Sequence, residues 1–504
     1  MHAYRRVRSY PARTYIGPFH STPMTGFKRS LSLLDAVMLV SGSMIGSGIF
    51  IVSADMMRQL GSPAWMLTAW VVSGVMTILA ALSYGELAAM MPKAGGQYVY
   101  IQRAFGRLPA FMYGWTVFTV IQTGLIAAVA VAFAKYTAVF FPLLGAENVL
   151  LDLGFLQVNA SQVFAIASIV VLTAFNARGV EKGKALQTSF TLAKILALLA
   201  LIVLGFWVAA GSGVLQANFS LGWAAVGPAT APDGSATWTP LFGVALLSAF
   251  GVALVGSLFS SDAWNNVTFI AGEIDRPRRN IPLSLVLGTG LVTVLYLLAN
   301  IAYLALLPVA DIQQATADRV GAAAAQVIFG NKGALIMAGL IMVSTFGCNN
   351  GIILSGGRLY YAMAKDGLFF RKAATLNKAA VPGFALWVQC AWASLLCLSG
   401  RYGDLLEYTM FASLLFYIVT IVGLFVLRKR EPHADRPYRA WGYPVLPALY
   451  VLAASAFCLN LLWSKPAYTG MGLGIVALGA VVYRFAAGKT LLPQESATTD
   501  KQEK

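Results

Sequence analysis

Twelve apolar stretches run through this chain, each long enough to cross a lipid bilayer, with basic loops between many of them. They lie at roughly 32–60, 63–90, 108–142, 157–177, 185–210, 238–273, 282–308, 334–364, 382–399, 404–427, 442–463 and 470–487. A helical span needs about 20 mostly apolar residues. Lipid offers the backbone no hydrogen-bond partner, so such a stretch folds as an α-helix. Several stretches exceed a simple span, which predicts tilts or breaks. Charged residues make up only 11% of the chain, against about 25% in soluble domains. A water-facing surface cannot be built from so few, whereas a bundle solvated by lipid can remain one unit.

The net charge of +16 raises nucleic acid as a partner. No run of basic residues interleaves with aromatics on a polar segment, and position accounts for the charge better. With the N-terminus in the cytoplasm and strict alternation of twelve spans, 28 of the 36 Lys and Arg fall on the cytoplasmic side, as the positive-inside rule requires. Away from the ends of the spans, only Lys194 and Arg358 are basic. Losing or adding one span would destroy the alternation. The expected partner is therefore the lipid bilayer and not nucleic acid, with both termini cytoplasmic. Residues 1–30 are expected as a basic cytoplasmic tail, 31–487 as the membrane domain and 488–504 as a second cytoplasmic tail. No apolar run precedes Leu31, so the basic start is not a secretory signal; Met24 is an alternative first residue. Cys348, Cys390, Cys397 and Cys458 all lie in apolar stretches and read as packed thiols, not a disulfide framework.

Two stretches are interrupted where a helix should be regular. The first contains Gly42-Ser43-Met44-Ile45-Gly46-Ser47-Gly48, and the sixth Gly256-Ser257-Leu258-Phe259-Ser260-Ser261-Asp262. Each glycine weakens a helix by roughly 1 kcal/mol relative to Ala. Gly42 and Gly46, four apart, also fit close helix packing. Matched interruptions in the two halves of a transporter point to its site, however, and these stand five spans apart. An odd separation inverts the second half relative to the first. This predicts a 5+5 inverted repeat, about 31–210 and about 238–428, with two extra spans at about 442–487. At 1.5 Å per residue, Ser43 and Asp262 lie roughly 16 Å, and Lys194 roughly 14 Å, from the cytoplasmic ends of their spans. All three are thus expected near mid-membrane.

A broken helix exposes two ends. Free N–H groups near Ser47 suit a carboxylate, and free carbonyls near Phe259 suit an ammonium. Both ends at one depth fit a zwitterion, of which an α-amino acid is the commonest. Phe259, at the end of the first half of span six, is expected to close over it. Asp262 is read as an N-cap for the second half of that span, with a proton-coupling carboxylate as the alternative. Lys194 is too deep to reach the interface and is expected to bond carbonyls near Gly42 and Ser43, or Asp262.

These motifs, together with Pro92-Lys93-Ala94-Gly95-Gly96-Gln97-Tyr98-Val99-Tyr100, Asp262-Ala263-Trp264-Asn265-Asn266, Glu273 to Pro282, Arg436 to Arg439 and Trp441 to Pro444, resemble the amino acid–polyamine–organocation (APC) superfamily. Within it they are similar to the L-type amino acid transporter branch, over roughly residues 28–465. The resemblance implies an all-α membrane protein with a LeuT-like fold, helices one and six broken, working by alternating access on amino acids, chiefly neutral ones. It implies carboxylate binding along Ser43, Met44, Ile45, Gly46, Ser47 and Gly48. Amino-group binding falls to Phe259, Ser260, Ser261 and Asp262, with Phe259 as the gate and Ser413 in a side-chain pocket. Lys194 stands where sodium-coupled relatives hold a cation, which implies sodium-independent transport. Eukaryotic members bond a heavy subunit through a cysteine between spans three and four. No cysteine occurs over 142–157, so the resemblance implies a bacterial inner-membrane carrier without that disulfide-linked partner.

An enzyme is not expected. His2, His20 and His433 lie outside the spans and far apart, and no metal-ligand spacing, phosphate loop or nucleophile elbow is present. No metal and no cofactor are expected. The competing readings are a permease-fold nutrient receptor or a proton-coupled amine or polyamine carrier. A channel would need a continuous polar path, which the apolar spans do not provide.

Overall fold

The computed structural model describes residues 27–152, 157–230, 236–398 and 402–487. The alternative start at Met24, most of the N-terminal tail and the tail at 488–504 lie outside the described residues, as do His2 and His20.

The first stretch starts as α1 (Leu33–Met44). The Ser32 hydroxyl accepts the Asp35 N–H at 3.2 Å, and the Asp35 carboxylate accepts the Ser32 N–H at 2.8 Å. This capping box satisfies two otherwise orphaned donors. The helix stops at Met44; a 3-10 turn at Gly48–Phe50 leads into α2 (Val52–Leu60). Next come α3 (Pro63–Met90), α4 (Gln97–Phe105) and α5 (Arg107–Thr116), the last passing through a π-turn at Val117–Ile121 into α6 (Gln122–Thr137). A hairpin of β1 (Val149–Asp152) and β2 (Gln157–Asn159) precedes α7 (Ala160–Ala177), α8 (Val180–Ala209) and the short α9 (Val214–Phe219). A second hairpin pairs β3 (Val226–Thr230) with β4 (Ala236–Pro240).

The sixth stretch was expected to be helical from 238. Its first residues instead form β4, and α10 (Gly243–Ser260) begins beyond Pro240, where Gly243 takes a φ of 53°. Thr237, Trp238 and Thr239 favour a strand, and proline ends it. After Ser260 the chain unwinds, Ala263 turns left-handed at a φ of 64°, and α11 (Asn266–Phe269) is one short turn. The remainder is α12 (Pro277–Leu306), α13 (Val309–Gln313), α14 (Val320–Phe329), α15 (Gly333–Lys365), α16 (Gly383–Leu398), α17 (Tyr402–Arg430), α18 (Val445–Ser464) and α19 (Pro466–Ala487).

Among the described residues, nine helices are long and apolar enough to cross a membrane, and three shorter apolar helices cover Leu33–Met44, Gly383–Leu398 and Thr469–Phe485. Large apolar side chains such as Leu196, Val203, Trp207, Leu459 and Trp463 are exposed on the outside, a surface that lipid, not water, solvates. The chain is a multi-pass helical membrane protein. α1 packs between α8, α12 and α15, and α10 packs on α2 and α3. The two breaks therefore meet inside the bundle.

Candidate functional site

The unwinding after Met44 leaves carbonyls without helical partners, and the side chains of α8, α12 and α15 take them up. The Lys194 ammonium donates to the carbonyls of Gly42 at 2.5 Å and Ile45 at 2.6 Å, with Ser344 O at 3.4 Å. The Ser344 hydroxyl donates to Gly46 O at 2.9 Å, and the Cys348 thiol to Ser43 O at 3.0 Å. Lys194 is 2% exposed. Its charge is met by peptide dipoles, a partial compensation for the loss of water. Gly42 was an expected partner; Asp262 is not one, and the second strong bond goes to Ile45, not Ser43.

Tyr296 of α12 ties the two breaks together. Its hydroxyl lies 3.1 Å from both Met44 O and Ser260 O. One proton can serve only one acceptor fully, so the bond is shared between the ends of α1 and α10.

Between the breaks lies a narrow cavity. Ser43, Met44, Gly46, Ser47 and Gly48 line it from the first break, and Phe259, Ser260, Asp262 and Ala263 from the second. Leu125 and Val129 of α6 and Cys348 of α15 complete the wall. The N–H groups of Gly46 and Ser47 donate to no atom of the described residues. The acceptor side is less open than expected: Phe259 O already accepts the Asp262 N–H at 3.1 Å, and Ser260 O accepts from Tyr296. Each carbonyl keeps a second lone pair. Ser43 Oγ is buried without a partner. Phe259 is half-buried and packs at the seam between the main core and the cluster around α6, α7 and α16.

Two expected site residues lie elsewhere. Ile45 is fully buried and turns its carbonyl to Lys194. Ser261 faces a separate cleft against α3, α17 and α18. Ser413 lines a narrow adjoining cavity, which shares Leu125, Asp262 and Ala263 with the first. Asp262 does not cap the second half of the broken helix. The N-cap of α11 is Asn265, and Asp262 Oδ1 accepts the Tyr417 hydroxyl at 2.5 Å. The chain needs four residues from Asp262 to re-enter a helix, so the carboxylate is left facing the cavities.

The sequence profile of the amino acid permease family matches residues 31–479, nearly the whole chain. The chain belongs to the amino acid permease family. It is a transporter of the APC superfamily, not an enzyme. Curated relatives place the permease in the L-type branch. The mouse b(0,+)-type amino acid transporter 1 is 28% identical, covering 92% of this chain and 90% of its own length. The mouse large neutral amino acids transporter small subunit 2 is 29% identical, covering 90% and 80%, and the human protein of that name is 28% identical with the same coverage.

Tyr296, Ser344 and Tyr417 of the permease's site carried no sequence reading, Cys348 was read only as a packed thiol and Gln97 only as part of a family motif. Ser344 and Cys348 are four apart, so they share a helix face; a polar pair at that spacing in an apolar span was the available signal. Tyr296 is one tyrosine among several in apolar stretches, and nothing local distinguishes it.

Proposed function

We propose that the permease carries α-amino acids by alternating access, with the α-carboxylate on the free N–H groups around Gly46 and Ser47 and the α-ammonium near Ser260 O. The observation that carries this reading is the cavity bounded by both helix breaks, donors on one wall and acceptors on the other. Phe259 is its gate. Ser43, Met44 and Gly48 shape the first wall, and Ser413 belongs to the side-chain end. Neutral side chains suit the apolar wall of Leu125 and Val129, in keeping with the name of the large neutral amino acids transporter among the relatives.

The finer architecture is part of the same proposal. The nine long and three short apolar helices support twelve spans in a LeuT-like 5+5 inverted repeat plus two, with both termini cytoplasmic in a bacterial inner membrane. Lys194 fills the place of a coupling cation, so transport is sodium-independent. The four cysteines are free and buried, which supports a carrier that works without a disulfide-linked subunit.

Counterflow tests the function. Liposomes loaded with an unlabelled amino acid should accumulate the labelled one transiently. A receptor or a channel produces no such trans-stimulation, and its absence across the twenty amino acids would overturn the reading.

A further inference from the structure

A cavity of about 400 Å³ lies away from the helix breaks, enclosed by α5, the end of α15, the segment after it and the last turns of α19. Its volume falls in the range of about 300–1,000 Å³ found for small-molecule sites. It shares no lining residue with the cavities at the breaks. Phe111, Trp115 and Phe118 follow one another at spacings of four and three, so they form one face of α5 and the π-turn after it. On the opposite wall Phe369 meets Phe118 with ring centroids 5.2 Å apart and stacks on Tyr360 at 5.3 Å. The Trp115 indole donates to Ile475 O at 3.2 Å, which pins α19 against α5. The rings hold one another in place, so few rotamers are left to freeze when a guest enters.

The slot opens on the outside of the bundle. Val482 lines it from α19, and Phe485, three residues on and on the same face, is exposed, as is Phe370 beside the rim. One charge stands at the mouth. Arg371 lines the cavity, is exposed and forms no ion pair among the described residues. The segment 366–382 between α15 and α16 carries Arg371, Lys372 and Lys378 against a single acid, Asp366. The Asp366 carboxylate already accepts from Tyr98 and Gln102, each at 2.9 Å. An apolar slot with an uncompensated cation at its mouth is complementary to an amphiphile with an anionic head.

We infer that this groove is a binding site for an anionic phospholipid of the bilayer, with an acyl chain between the α5 aromatics and Phe369 and the phosphate on Arg371. The proposed cytoplasmic termini put this end of the bundle in the leaflet with the negative surface potential. Seated there, the lipid bridges α5, α15 and α19. A zwitterionic lipid fills the slot equally well but brings its own cation up to Arg371.

Native mass spectrometry of the purified protein titrated with lipid tests this, using phosphatidylglycerol against phosphatidylcholine with the same acyl chains. The wild type should retain the anionic lipid about fivefold more strongly, the effect of one cation near a charged membrane surface. Arg371→Gln should bring the two lipids close to parity. Arg279→Gln, which removes an exposed charge at the start of α12, should leave the preference as it is. Val482→Trp, which fills the slot from α19, should lower the retention of both lipids. Equal retention of the two lipids by the wild type would overturn the inference without any variant. A preference that survives in Arg371→Gln would put the anion elsewhere and overturn it as well. Unchanged retention in a folded Val482→Trp would leave Arg371 as a surface charge with no slot behind it, with the same result. Amino acid counterflow is measured separately, so failure here leaves the proposed transport function standing.

Discussion

Arg358 of α15 and Glu273, in the 3-10 turn Ala271–Glu273, form an ion pair at 2.9 Å with side chains 0% and 1% exposed. A second contact runs at 3.3 Å, and Arg358 also donates to Leu354 O at 2.6 Å. The pair fastens the short segment after the second break to the longest helix of the bundle.

Removing one member strands the other charge out of water, a loss of about 3–5 kcal/mol. Glu273→Gln should therefore lower the thermal midpoint of the purified protein sharply. The double variant Glu273→Gln with Arg358→Met should recover much of that loss, because no charge is left unpaired. Thermal unfolding in detergent checks both, and an unchanged midpoint in the single variant refutes the assigned weight of the pair.

Gly48 and Ser260 press the two breaks together. A Cβ built on Gly48 would fall on the Ser260 side chain and come within 3.2 Å of its Cα. Backbone on that side cannot yield cheaply, so Gly48→Ala should force the breaks apart. Misplacing a binding group by about 1 Å costs on the order of a hundredfold in rate. Uptake should fall by that order while the amount of protein in the membrane stays near normal, as a paired flux and immunoblot measurement would show.

Phe259→Ala should impair transport far more than abundance. A fully buried Phe→Ala change costs about 3–5 kcal/mol, and half-buried Phe259 should cost less. Its loss leaves the cavity without its aromatic cover. Transport kinetics equal to wild type would end its assignment as a gate.

The breaks and the buried lysine were legible because each violates a strong local rule. Glycines and serines do not belong in mid-span, and neither does a lysine. What Lys194 bonds was only half legible, since the carbonyl of Ile45 turns toward it only once the chain has unwound. Asp262 was misread as a cap for a related reason. A side chain caps a helix only if the helix starts beside it, and the left-handed turn at Ala263 delays that start to Asn266. The partners supplied by α12, α15 and α17 were invisible because they arrive from other helices, 36 residues away for Tyr296 and Ser260 and 155 for Tyr417 and Asp262. The hairpin before α10 was hidden by a hydropathy that strand and helix share.

Lys194→Ala should slow transport and lower stability, since it leaves the Gly42 carbonyl unmet at about 1–3 kcal/mol and the Ile45 carbonyl with only the Ser344 hydroxyl at 3.2 Å. In the wild type, flux should be identical in sodium and choline buffers at matched pH. A clear sodium dependence would defeat the assignment of Lys194 as a cation substitute.

A bound ion arrives and leaves with every cycle, but the ammonium of Lys194 is covalently part of the chain. If it holds the first break in place of an ion, as proposed, the cell's sodium battery has no wire into this machine. Any accumulation would then be driven by the concentration gradient of a counter-moving amino acid or by protons, and the carrier on its own would rebalance the composition of an amino acid pool more readily than enlarge it.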